Sequence, residues 1–259
     1  MMWLTMVLAA AFLVPGQGRG GAAPRPGNLR PGSVENVVVG SPDHNVTVYL
    51  PPSYATDSAR RFPVFYFLPD SGARSDASIS AIKEVADRMA ALQGFSEQII
   101  VTPDAQATGD WARFIAEDLV AYVDMHYRTL AVRISRGLAG ISMGGNSALQ
   151  IGMKRPDVFS SLYIMSASIN STPDALVQQN ETNLKKLYSL SIDIGSGDPS
   201  LAANRQLHDA MMRLHIPHRY EEYDGDHTAK FSERIERNLL PFFSKNLAAP
   251  ANPTSPAVH

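Results

Sequence analysis

Between residues 33 and 247, short runs of β-branched and aromatic residues alternate with stretches whose apolar residues recur at helical spacing. Strands joined by helices produce this pattern, so it predicts an α/β fold: a mostly parallel central sheet with helices on both faces. Pro63–Leu68 is nearly all apolar, as befits a strand covered on both sides. Further strands are expected at Val34–Val39, Asn45–Leu50, Gln98–Thr102, Arg136–Gly140, Ser161–Ser166, Ser189–Gly195 and His218–Tyr223. Helices fit Ala77–Leu92, where Ile79, Ile82, Val85 and Met89 share a face, then Phe114–Tyr127 and Met143–Lys154, the last halted before Pro156. No internal repeat is present, and one domain accounts for residues 33–247.

The ends read differently. Trp3–Val14 is an apolar run followed by Pro15 and small residues up to Ala23. It is short of the about 20 residues a spanning helix needs, but suits the core of a secretory signal peptide, expected over residues 1–23. The segment before it carries no Lys or Arg. Residues 24–32 read as a flexible leader rich in Pro and Gly, and residues 248–259, with three prolines, as a disordered tail. The expected product is secreted or periplasmic, with no stable insertion in a membrane.

Composition narrows the chemistry. With 23 Lys and Arg against 25 Asp and Glu, the net charge of -2 offers no cationic surface for nucleic acid. The chain has no cysteine, which excludes disulfides, thiolate metal sites and a thiol nucleophile. No H-E-x-x-H or comparable metal spacing occurs, and no cofactor is expected. Whatever reaction takes place must use oxygen and imidazole groups.

Gly140-Ile141-Ser142-Met143-Gly144 matches G-x-S-x-G at a predicted strand-to-helix turn. There the serine is lifted above the sheet edge, and the free N–H groups of the following helix point toward it. Ser142 is therefore the expected nucleophile. A serine hydroxyl needs an imidazole base, itself oriented by a carboxylate, and in such folds the chain order is Ser, Asp or Glu, His. His208, His215 and His218 fall in or beside regular elements; His227 lies in the loop after the last strand, and is the expected base. Asp198 stands just past the end of Ser189–Gly195 and is the expected acid. Asp193, inside that strand, suits a structural hydrogen bond. Asp224 and Asp226 are rivals as neighbours of His227, although sequence neighbours usually point apart.

With those residues placed, the chain resembles the putative-esterase family of α/β-hydrolases, which contains S-formylglutathione hydrolases, feruloyl and acetyl esterases and mycolyltransferases. The resemblance runs from about Val46 to Phe243. Beyond the serine turn it rests on Tyr49-Leu50-Pro51-Pro52-Ser53-Tyr54, Phe62 to Leu68, Tyr127-Arg128-Thr129, Pro156-Asp157-Val158-Phe159 and Ile192 to Asp198. It implies an α/β-hydrolase fold and a triad of Ser142, Asp198 and His227. It also implies an oxyanion hole built from the N–H of Met143 and a loop N–H after Phe65–Leu68. Relatives usually carry His-Gly in that loop, whereas this chain has Pro69-Asp70-Ser71-Gly72-Ala73; Gly72 is the first candidate donor and Ser71 the second. After His227, where many relatives have tryptophans, Lys230 and Phe231 stand instead.

The expected function is a secreted serine carboxylesterase acting on short-chain or aryl esters of the feruloyl or acetyl type, with an acyl-enzyme on Ser142. Its partner would be a small-molecule or carbohydrate-linked ester; oligomeric state is left open. Two alternatives share the chain: acyl transfer to a sugar hydroxyl by the same triad, and a catalytically silent relative that binds carbohydrate or a partner protein. Ser80-Ala81-Ile82-Lys83 matches S-x-x-K but lacks the companion motifs and falls mid-helix, which reads as coincidence. Asn45, Asn170 and Asn180 begin glycosylation sequons, informative only in a eukaryotic secretory pathway. Trp111 could line a cleft or cap the core, with the core slightly favoured.

Overall fold

A computed structural model describes residues 30–72, 75–105 and 110–247. The expected signal peptide, most of the leader and the tail lie outside the described residues. Gly32, at the end of the leader, is buried, and its N–H donates to Asp87 Oδ1 at 2.8 Å.

Eight strands form one sheet: β1 (Ser33–Val39), β2 (His44–Leu50), β3 (Val64–Leu68), β4 (Ile99–Pro103), β5 (Arg136–Ile141), β6 (Ser161–Met165), β7 (Ser189–Gly195) and β8 (Arg219–Tyr223). Their spatial order is β1-β2-β4-β3-β5-β6-β7-β8. The β1–β2 and β2–β4 pairs are antiparallel, and every pair from β4 through β8 is parallel. Parallel neighbours require crossovers, which helices between the strands supply: α1 (Pro52–Thr56), α2 (Ser75–Met89), α3 (Trp111–Arg113), α4 (Leu119–His126), α5 (Met143–Lys154), α6 (Pro173–Leu184) and α7 (Leu201–Arg213); α8 (Phe231–Arg234) and α9 (Leu240–Asn246) follow the last strand. A π turn over Phe114–Asp118 joins α3 to α4, and another over Ile235–Leu239 joins α8 to α9.

The strand period of two divides the core. On one face Val64, Tyr66 and Leu68 of β3 join Val101, Leu138, Leu162 and Ile192, covered by α4 to α7 through Leu119, Leu149, Val177 and Leu207. On the other, Phe65 and Phe67 join Ile100, Ala139 and Tyr163, covered by α2 and the C-terminal helices through Ile82, Leu239 and Phe243. β3 is buried at every residue because both its faces are covered, which is why its sequence reads as one apolar run. Phe243 stacks on Phe65 with ring centroids 4.4 Å apart, and a Cβ at Gly137 would sit 2.4 Å from the Phe243 ring. That position on β5 therefore admits only glycine.

The outer strands are charged and partly exposed, β8 reading Arg219-Tyr220-Glu221-Glu222-Tyr223, which discourages pairing with another chain. Behind β8, His218 Nδ1 faces the Ile216 carbonyl at 2.8 Å and so must carry its proton, leaving Nε2 to accept from His208 Nδ1, also at 2.8 Å. Burial, with His208 as a smaller contributor, pushes the His218 pKa below the ordinary histidine value. The fold therefore favours neutral His218. Its contribution is fully present above the unfolded-state pKa of about 6.5 and is lost as pH falls toward the folded-state value. Melting temperature should drop between pH 7 and pH 5, and His218→Gln should flatten that slope; an equally steep profile in the variant would remove His218 from the account.

Candidate active site

β5 ends at Ile141, and Ser142 turns the chain straight into α5 with φ 59° and ψ -121°. A non-glycine residue held there costs about 1–3 kcal/mol, so the surroundings must impose it. They do so through close backbone approach. A Cβ at Gly140 would meet the Gly144 carbonyl oxygen at 2.3 Å, and one at Gly144 would meet the Leu68 carbonyl oxygen at 2.1 Å. The two glycines of the motif are thus required by contact between strand and helix, and between helix and the end of β3. Ser142 is fixed by its own N–H, which donates to the Met165 carbonyl at 3.0 Å, and by its carbonyl, which accepts from Asn146 N–H at 3.0 Å.

Asp198 follows β7 and is buried, with its two oxygens engaged separately. Oδ1 accepts from Ser200 N–H at 2.8 Å, and Oδ2 lies 2.8 Å from His227 Nδ1. A carboxylate at Nδ1 places the ring proton there and leaves Nε2 as an acceptor. The His227 loop is tied to the end of β7: Ser196 N–H donates to the Tyr223 carbonyl at 2.8 Å and Gly197 N–H to the Gly225 carbonyl at 2.9 Å. Asp226 serves the loop itself, its Oδ1 accepting from Thr228 and Ala229 N–H at 3.1 and 2.9 Å. Among the described residues, Ser142 Oγ is paired with Ser168 Oγ at 3.2 Å. Ser168 lies just past β6, at the same sheet edge, and had no motif to announce it; only the rule that strand C-terminal ends gather functional groups could have pointed there.

Behind this loop sits a buried charge. Arg234 on α8 donates through Nη2 to Asp193 Oδ1 at 2.5 Å and to Ser166 Oγ at 3.1 Å. Tyr163 donates to Asp193 Oδ2 at 2.8 Å, which accounts for the strand aspartate as a structural group. Burial first, then the Asp193 charge, holds the Tyr163 hydroxyl protonated far above its ordinary range. The Arg234 guanidinium also lies 4.5 Å from the Tyr223 ring centroid, and Tyr223 donates to the Asp226 carbonyl at 3.1 Å. One arginine thereby braces the loop that carries His227.

After β3 the chain runs Pro69-Asp70-Ser71-Gly72, with Gly72 in the left-handed region at φ 73°. Met143 N–H and Ser71 N–H converge on one oxygen, Asp70 Oδ1, at 3.4 and 2.7 Å. Of the two loop residues considered as donors, Ser71 is the one whose N–H shares an acceptor with Met143. Beside them opens a mostly apolar hollow of about 370 Å³, bounded by Leu68, Pro69, Gly72, Trp111 and Gly144. A second hollow of about 280 Å³ runs along α5 past Asn146, Gln150 and Asn170. Trp111 and Met143 border both. Trp111 therefore does two things, lining the hollows while stacking on Phe114 at 5.4 Å on the core side. Among the described residues no helix is long and apolar enough to cross a membrane, and no three His, Asp or Glu side chains are grouped to hold a metal ion.

A family model described as Putative esterase matches residues 41–239. Esterase Rv1288 of Mycobacterium tuberculosis is 29% identical over 167 residues, covering 59% of this chain and 34% of that protein. The uncharacterized protein YjcH of Bacillus subtilis is 24% identical over 134 residues, 48% of this chain and 56% of its own length. The chain thus matches about a third to a half of the length of these curated relatives. Among solved structures, a ferulic acid esterase superposes with a TM-score of 0.75 at 23% identity, covering 83% of this chain and 98% of the other. The S-formylglutathione hydrolase FrmB of Staphylococcus aureus superposes at 0.67 and 18% identity, covering 83% of this chain and 98% of that one. These likenesses establish the fold as that of the α/β-hydrolase esterases. With the family model spanning most of the folded residues, the chain belongs to the putative-esterase family.

Proposed function

We propose that the protein is an exported serine carboxylesterase for short-chain or aryl esters, with Ser142 as nucleophile, His227 as base and Asp198 as its orienting acid. The observation that carries this reading is the 2.8 Å contact of Asp198 with His227 Nδ1, at the same sheet edge as Ser142 on its strained turn. The proposed reaction requires the Ser142 hydroxyl, here paired with Ser168, to turn its proton toward His227 Nε2. Apo sites often hold such contacts open until substrate binds.

In the proposed cycle His227 takes the Ser142 proton as Oγ attacks the ester carbonyl. The N–H groups of Met143 and Ser71 hold the oxyanion. His227 then protonates the departing alkoxide, leaving an acyl-enzyme. Water, deprotonated by the same ring, releases the acid and restores Ser142. Throughout, the Asp198 charge stabilises the imidazolium and fixes which ring nitrogen faces the serine. The apolar hollow beside Trp111 has room for a short acyl chain or one aromatic ring, and none of the described residues lining it carries a charged side chain.

The purified protein should hydrolyse p-nitrophenyl acetate and butyrate, and methyl ferulate, well above the rate for p-nitrophenyl palmitate. A fluorophosphonate should label Ser142 stoichiometrically. Absence of both labelling and hydrolysis across this panel would leave the site without its proposed chemistry.

A further inference from the structure

The two backbone N–H groups that the proposed reaction assigns to the oxyanion are already occupied by a carboxylate. Asp70 Oδ1 accepts from Ser71 N–H at 2.7 Å and from Met143 N–H at 3.4 Å, across 73 residues of chain. Met143 opens α5, so its N–H has no acceptor within the helix, and the positive end of the helix dipole adds to its pull on an anion. A single negatively charged oxygen held by two backbone donors beside the serine is the arrangement a tetrahedral intermediate would present. At this turn, directly after β3, the chain places a carboxylate.

We infer that the Asp70 carboxylate is a built-in occupant of the oxyanion hole, which a substrate carbonyl must displace, so that Asp70 sets the rate of acylation. This rests on the esterase reading of the same site. Two physical effects act in one direction. While bound, Asp70 blocks both donors. While near, its charge opposes the negative charge that develops on the substrate oxygen. Asp70 is only half-buried, so the carboxylate can leave toward water and recover hydration there. The 3.4 Å contact to Met143 is long for a charge-assisted hydrogen bond, which marks it as the one that yields first, whereas the Ser71 contact is local and can be remade as the side chain swings. Asp70 is therefore a rate-setting residue outside the triad, and removing its charge should speed the enzyme.

The test compares wild type, Asp70→Asn and Asp70→Ala by kcat/KM on p-nitrophenyl acetate and by the dissociation constant of phenylboronic acid. The boronate becomes a tetrahedral anion on serine and would need the same two N–H groups. Asp70→Ala should raise kcat/KM and tighten boronate binding by about tenfold, the loss of one charge-assisted competitor, with Asp70→Asn between it and wild type. Asp70→Asn keeps an acceptor for Ser71 N–H, so it also covers the case in which the alanine variant misfolds. Unchanged or weaker boronate binding and unchanged or lower kcat/KM in folded variants, with wild type active, would overturn the inference alone. A wild type and variants all silent toward ester and boronate would instead overturn the esterase reading.

Discussion

Ser142→Ala is expected to lower kcat for p-nitrophenyl acetate by about 10⁶-fold, to a residual rate that owes nothing to an acyl-enzyme. The substitution removes one oxygen and little else. The φ of 59° at this position is imposed by the contacts of Gly140 and Gly144, so alanine inherits the same backbone. The lost hydrogen bond to Ser168 is long at 3.2 Å, and melting temperature should stay within a degree or two of wild type. His227→Ala should cost about as much as the serine change, and the double variant little more, because the proposed groups act as one unit. Stopped-flow measurement of p-nitrophenol release separates the steps: a burst in wild type would mark deacylation as the slower half-reaction, and the variant should show none. Retention of more than about one per cent of wild-type kcat in a clean preparation of Ser142→Ala would remove the serine from its proposed role, since no triad enzyme tolerates that loss so cheaply.

Arg234→Met should destabilise the fold by about 3–5 kcal/mol, the effect of leaving one partner of a buried ion pair uncompensated. Asp193 is fully buried, with the Tyr163 hydroxyl as its other donor, and burial already raises its pKa. Without the guanidinium the carboxyl would keep a single neutral partner, and holding it ionised or protonating it both cost stability. In a domain of this size the change corresponds to a fall of about 10 °C in melting temperature. Asp193→Asn added to Arg234→Met should recover part of the loss, because the orphaned charge goes with the arginine. Activity should fall further than stability explains. Without the guanidinium under Tyr223, the hydroxyl of that ring is free to release the Asp226 carbonyl, and the His227 loop loses its brace. Thermal denaturation of the three variants, followed by kcat at a temperature where all are folded, checks both parts; an Arg234→Met protein as stable as wild type would contradict the burial argument.

Much of this arrangement was legible in the chain because single residues or short periods decide it. β3 announced itself through five consecutive apolar positions buried on two faces, and the run Met143–Lys154 had both ends marked, by the glycine turn and by Pro156. The serine turn was readable because steric contact leaves no choice at Gly140 and Gly144. Asp198 and His227 could be ranked from strand ends alone. What sequence could not decide was set by distances between strands. Whether Ser71 or Gly72 meets Met143 depends on how β3 ends relative to α5, and Ser168 becomes a neighbour of Ser142 only because β6 pairs with β5. Asp70 as an anion in that corner depends on a side-chain rotamer. Trp111 defied a choice between cleft and core because one indole has two faces and uses both.

The C-terminal helices close a loop in the chain whose length has a kinetic meaning. Ser96 N–H donates to Ser244 Oγ at 2.7 Å and Arg88 Nη2 to Glu236 at 3.0 Å, each across 148 residues, while Phe243 completes the packing around Phe65. Such distant pairings are slow to find and reward folding only late, because loop closure must precede them. A nascent chain released as far as α7 would hold Ser142 and Asp198 but neither His227 nor the C-terminal helices that help seal the far face of the sheet. The proposed site therefore cannot assemble until the last stretch of the chain has been made and packed.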